Sequence, residues 1–185
     1  MSYRDVYEKW LSSSALSEAE KEELRSISGD EKEIESRFFA PLEFGTAGLR
    51  GTMCVGLHQM NIHVIRHATQ AFAEVILAEG PEAVKRGVAV CFDCRNHSQE
   101  FARETAGVMA GNGIPVRRSR PCAPRRSFPL RSVNWAASPA SISLPATILR
   151  NTTAIRYTGR TAPSSPRPMI RACWRRSWPL RIFPQ

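Results

Sequence analysis

The octapeptide Phe44-Gly-Thr-Ala-Gly-Leu-Arg-Gly51 carries three glycines, Gly45, Gly48 and Gly51, around Thr46 and Arg50. Glycine lets a backbone approach an anionic group closely, and a guanidinium offers paired donors to a phosphate. Taken alone, such a stretch is more often a tight turn between a helix and a strand. A second stretch, Asp93-Cys-Arg-Asn-His-Ser98, follows an apolar run of strand length. Open α/β sheets bind ligands at that end of a strand. Asp93 and Arg95 fit either a direct ligand role or a local ion pair that orders the loop. Ser98 reads as an N-cap. A third set comprises Cys91 and Cys94 in a CxxC, with His63 and His67 four residues apart on an expected helix. Zinc needs about four ligands, usually from two such pairs brought together, and this His pair lacks the Glu of an H-E-x-x-H helix. Cys91 fits a buried strand and both histidines suit a helix surface, so no metal site is expected.

These residues must be positioned by the elements between them. Tyr3 to Leu11 can form a short amphipathic helix, and Ser17-Glu-Ala-Glu20 is a capping-box pattern that opens a second helix to about Ser26. Gly29-Asp30 closes that helix and caps a third through Phe38. Residues 1–40 therefore form a helical lead-in, expected to pack outside the core. From Pro41 the pattern changes. Asn61 to Leu77 repeats apolar residues near the 3.6-residue period, with Gly80-Pro81 as its stop. Gly87 to Phe92 is a buried-strand run, the next helix carries Phe101, Ala102, Val108 and Met109, and Gly111 or Gly113 ends it before Ile114-Pro-Val116. Strand, helix, strand at these lengths is a βαβ unit on a parallel sheet. The expected class is α/β, with residues 41–116 forming part of a mixed or parallel-sheet α/β/α domain.

Residues 117–185 differ in kind. They hold fourteen arginines, ten prolines and one glycine, with no lysine, aspartate or glutamate. The preceding part sets twelve Lys and Arg against seventeen Asp and Glu, a formal charge of 12 − 17 = −5. A mixture of Arg, Pro, Ser, Ala and Trp is what a GC-rich gene yields when read out of frame. The letters test this, because each residue fixes most of its codon. In a frame starting one base earlier, Arg125 to Val133 becomes T-P-E-L-S-F-A-V-R and Pro145 to Leu149 becomes A-S-H-N-P. The same register continues through Pro166. Without visible periodicity and with unbalanced charge, the tail is expected to be irregular or disordered.

The hidden phrase T-A-S-H-N-P, with Phe44 to Gly51 and the Asp93-x-Arg95-x-x-Ser98 segment, resembles the α-D-phosphohexomutases, the phosphoglucomutase and phosphomannomutase family. The in-frame resemblance covers roughly residues 1–116 of a domain-one-like region. It implies an isomerase that interconverts hexose 1- and 6-phosphates by phosphoryl exchange through a serine. Here Ala146 takes that serine's place. It also implies phosphate contacts from Thr46, Gly48, Arg50, Asp93 and Arg95. Mg²⁺ would be held by an acidic D-G-D-x-D-R loop in a later domain; this chain has no such loop, and none is expected to bind it. The chain as written is thus expected to be catalytically incompetent.

Other classes find less support. No stretch approaches the roughly 18 apolar residues of a membrane span, and the N-terminus lacks a basic region followed by an apolar run. A cytoplasmic location is the default expectation, and five irregularly spaced cysteines do not make a disulfide framework. The arginine-rich tail would bind nucleic-acid phosphates in a salt-dependent way. Its basic residues are scattered among prolines, so no specific nucleic-acid partner is expected.

Overall fold

A computed structural model describes residues 2–45, 48–92, 97–118, 140–144 and 152–159. Three short helices come first: α1 (Tyr3–Ser12), α2 (Glu18–Ser26) and α3 (Glu31–Phe38). Each starts at a residue whose side chain satisfies orphan amides. Ser2 and Ser17 form capping boxes with Asp5 and Glu20, and Asp30 accepts from the Lys32 and Glu33 amides. Their apolar sides build a core of their own from Tyr7, Trp10, Leu24, Ile34 and Phe38, joined by Val55 and Leu57 from beyond the lead-in. The Tyr7 and Trp10 rings both meet Phe38 edge-on at 5.6 Å.

The α/β part contains β1 (Phe44–Gly45), β2 (Gly48–Thr52), α4 (Ile62–Ala78), α5 (Pro81–Arg86), β3 (Val88–Phe92), α6 (Ser98–Gly111) and β4 (Val116–Arg118). Two further strands, β5 (Ala140–Leu144) and β6 (Thr152–Gly159), complete a six-stranded sheet ordered β1-β2-β6-β5-β3-β4. The sheet is mixed. β3 runs parallel to β4 and β5, while β6 lies antiparallel between β5 and β2. The main core places Val64, Ile65, Ala68 and Phe72 of α4 with Val88, Val90 and Phe92 of β3 and Phe101, Ala102 and Met109 of α6. The expected βαβ unit is β3-α6-β4.

Gly113 is the residue that turns the chain after α6. Its N–H donates to Ala110 O at 2.9 Å and the Ile114 N–H to Met109 O at 3.0 Å, with Gly113 at φ +71. This is the paired-bond C-terminal motif in which a left-handed glycine satisfies the last carbonyls.

Three expectations need correction and one needs an addition. The tail is not irregular throughout, because β5 and β6 lie inside it. Ala140-Ser-Ile-Ser-Leu144 alternates as a strand does, and ladder pairing draws on backbone groups that every non-proline residue carries. Gly80-Pro81 ends α4 but also opens α5, since proline at a first helical position forgoes only an unused donor. Ser98 is not the N-cap of α6: His97 holds that position at φ +62, and Ser98 is the buried first residue of the helix. Finally, His63 and His67 do not lie on a helix surface but are buried.

Candidate functional site

Strand register places the candidate residues. Leu49 pairs with Ile155, Ser143 with Arg156, and Leu144 with Phe92. Leu49 and the last residues of β5 and β3 therefore stand at one level of the sheet. Arg50, paired with Ala154, is one residue further on, at the edge where β3 and β5 end. With strands about 4.8 Å apart, β5 lies about 10 Å and β3 about 14 Å from β2. In sequence Asp93 directly follows Phe92, and Ala146 is the second residue after Leu144. Thr46, Asp93, Arg95 and Ala146 themselves lie outside the described residues, as does Cys94.

Arg50 belongs to a strand rather than to a glycine loop. β1 and β2 form a hairpin with Gly45 opposite Gly48, so the expected turn joins two strands and not a helix to a strand. Leu49 is fully buried and a β-carbon at Gly51 would lie 3.2 Å from the Met60 nitrogen and 3.4 Å from Leu42. Alternation then sends Arg50 to the opposite face, where it is exposed. Among the described residues no carboxylate pairs with it, which leaves its guanidinium donors for an anion.

The surroundings of this edge are built from the lead-in and from residues 53–60, the strap between β2 and α4. Asn61 caps α4 by accepting the Val64 N–H at 3.0 Å, and its amide donates to Gly56 O at 2.7 Å and Cys54 O at 3.3 Å. His63, the next residue but one, contacts Glu20 Oε1 at 3.0 Å and the Trp10 ring edge-on at 5.9 Å. Burial works against the Glu20 carboxylate, but bonds from Ser17 and the His63 contact hold its pKa below the usual range. Burial pushes the Cys54 thiol up, so it is a poor nucleophile.

α6, which packs beside α4 in the main core, begins with its N-cap His97 directly after residue 96 in sequence. His97 Nδ1 lies 2.9 Å from Glu100 Oε2 and its ring stacks on Phe101. Among the described residues no three His, Cys, Asp or Glu side chains converge to hold a metal ion. No helix among them is long and apolar enough to cross a membrane.

Sequence reasoning singled out Arg50 and the β3 terminus but missed the strap and its anchor Asn61. The signal was present: Asn61 precedes the first apolar-periodic residue of α4, where an N-cap belongs.

Known proteins resemble this chain in sequence and in fold. A phosphopentomutase from Pongo abelii is 37% identical over 94 residues, covering 48% of this chain and 15% of the relative. A phosphoglucomutase from Staphylococcus saprophyticus is 34% identical over 84 residues, 45% of this chain and 15% of the relative. The chain thus spans about 15% of the length of these relatives. In three dimensions it resembles a Thermus thermophilus chain described as a phosphomannomutase, with a TM-score of 0.57 and 22% identity over 74% of this chain and 30% of that one. That likeness concerns the fold alone. Residues 41–137, more than half of the chain and starting at the Pro41 boundary, match the phosphoglucomutase/phosphomannomutase alpha/beta/alpha domain I, and the chain belongs to that family.

Proposed function

We propose that this chain is the first-domain fragment of a sugar-phosphate mutase, an enzyme that moves a phosphoryl group between two hydroxyls of a hexose or pentose phosphate, and that the chain as written is inactive. One observation carries the site reading. In a member of this family, the exposed Arg50 stands at the sheet edge where β3 and β5 end.

A transferring phosphoryl group needs fixed positive charge and hydrogen-bond donors more than it needs covalent chemistry from the protein. Arg50 supplies a planar, permanently charged donor set on a rigid strand. Thr46 and Gly48 would border the same anion, and Asp93 and Arg95 would extend the site from the end of β3. The acceptor of the phosphoryl group would be a serine in the segment after β5. Ala146 occupies that place, and an alanine methyl has no nucleophilic oxygen. A single-base frame change near codon 117 accounts for both the missing serine and the arginine-rich composition. Mg²⁺ would be supplied through a later domain of an intact protein. The substrate spans pentose and hexose phosphates, since the matched relatives are named for both.

The test pairs two measurements. Sequencing the gene across codon 117 in independent clones should reveal one inserted or deleted base. The encoded 185-residue chain should show no turnover on glucose, mannose or ribose phosphates, whereas the frame-restored full-length protein should show Mg²⁺-dependent turnover. An intact frame in every clone, or turnover by the chain as written, refutes the proposal.

A further inference from the structure

The hairpin partner of β2 is too short to hold its active end. β1 reaches only as far as Leu49, through Phe44, so on that side Arg50, Gly51 and Thr52 have no strand neighbour. The strap takes the place of one: the Met60 N–H donates to Thr52 O at 2.8 Å. The strap in turn is held by the lead-in. Glu23 Oε1 accepts the Val55 N–H at 3.0 Å, and Arg37 Nη1 donates to that same oxygen at 2.6 Å and to Val55 O at 3.2 Å. Arg37 Nε donates to Glu33 Oε1 at 2.8 Å, and Arg37 O accepts the His58 N–H at 2.8 Å. A β-carbon at Gly56 would lie 2.9 Å from Arg37 Cβ. Both the side chain and the backbone of one lead-in residue therefore grip the strap.

We propose that Arg37 is a positioning residue: paired with Glu23, it clamps the strap onto the lead-in and so fixes the end of β2 that carries Arg50. Its side chain is only 11% exposed, and its guanidinium spreads five donors over a rigid planar fork, so that Nε and Nη1 together reach two carboxylates and a carbonyl. Burial disfavours the Arg37 charge, but the Glu33 and Glu23 carboxylates more than offset this and keep its pKa above the ordinary value. The lead-in is thereby part of the site rather than an appendage beside it. The link to catalysis rests on the phosphate-holding reading of Arg50.

Hydrogen exchange on the 185-residue chain tests the clamp, and kinetics of the frame-restored enzyme tests its purpose. Arg37→Ala should speed exchange of the Val55 and Met60 amides by about tenfold or more, with a far smaller change at Val88 and Val90. If Arg37→Ala does not fold, Arg37→Lys is read the same way, because an ammonium keeps the charge but cannot span the three acceptors. In the restored enzyme, Arg37→Lys should lower kcat by about tenfold and leave KM nearly unchanged. Unchanged strap exchange, an equal change in strap and β3, or a normal kcat each overturns the proposal. Failure of the Arg50 reading has a separate signature, since Arg50→Ala would then keep its turnover whatever the exchange shows.

Discussion

Gly87→Ala should be among the most damaging single substitutions in the chain, and two other glycines supply its controls. Gly87 sits at φ +72 and ψ −169, a region open almost only to glycine, and occupying it with a β-carbon costs about 1–3 kcal/mol. The new methyl would also lie 2.4 Å from Pro115 O. That carbonyl cannot retreat easily, because it accepts the Val88 N–H at 2.8 Å where β3 meets β4. Forcing an atom into such a place adds roughly another 1–3 kcal/mol, for a total of about 4 kcal/mol. Gly113 has a similar φ of +71, yet nothing lies within 4 Å of its would-be β-carbon. Gly113→Ala then carries the backbone term alone, about 1 kcal/mol. Gly107, inside α6 with open space around it, should gain about 0.5–1 kcal/mol as alanine. Urea unfolding of the 185-residue chain, followed by far-UV circular dichroism, reads all three. With a slope of about 2 kcal/mol per molar, the midpoint should fall by about 2 M, fall by about 0.5 M, and rise by a few tenths of a molar, respectively. Equal losses for Gly87→Ala and Gly113→Ala would show that the carbonyl contact costs nothing and refute the reasoning.

Three further outcomes follow from other parts of the molecule. Bonds from Arg4 and Tyr3 lower the Glu31 pKa to about 2 from 4.5, so their stabilisation is complete above the ordinary value and is lost as pH falls toward 2. The urea midpoint should therefore drop on acidification through that window, and Glu31→Gln should flatten the drop; an unchanged pH profile in the variant counts against the link. Arg50→Ala in the frame-restored enzyme should reduce turnover by roughly two orders of magnitude and Arg50→Lys should already reduce it, while the melting temperature stays put because the side chain is exposed. Ile142→Pro tests whether β5 truly lies between β3 and β6, since proline in a central strand costs about 3 kcal/mol or more; a midpoint unmoved by this substitution would remove β5 from the sheet.

The helices were legible where local chemistry decides. Ser17 with Glu20, Asp30, and the apolar repeat from Ile62 each announce their element within a few residues, and the structure uses each as read. The β3 run and the helix after it were legible for the same reason. What escaped was set by partners distant in sequence. His63 and His67 have the spacing of an exposed helix face, yet both are buried, and for His63 it is the lead-in, with Glu20 and Trp10 against its ring, that covers it. The N-cap moved from Ser98 to His97 because the chain enters α6 through a left-handed residue, which no spacing rule marks at a histidine. Arg50 was assigned to a loop because three glycines in seven residues suggest one. In the fold Gly51 serves close approach by Leu42 and Met60, within a strand.

The strands β5 and β6 separate what the fold requires from what the chemistry requires. A sheet position asks for extended backbone with donors and acceptors at the right rise, a demand that Ala140-Ser-Ile-Ser-Leu144 meets with ordinary residues. Pairing of β5 with β3 and of β6 with β2 therefore makes few demands on side-chain identity, provided prolines stay outside the ladder. The tail's prolines do so: Pro139 and Pro145 flank β5, and β6 contains none. On the proposed reading the phosphoryl acceptor would tolerate no such exchange, because it needs one hydroxyl at one position and Ala146 would lack it. Membership of a fold family therefore leaves the activity of this chain to be argued from its site, and on the proposed reading that site would need both a hydroxyl in place of Ala146 and the domains that follow in the relatives.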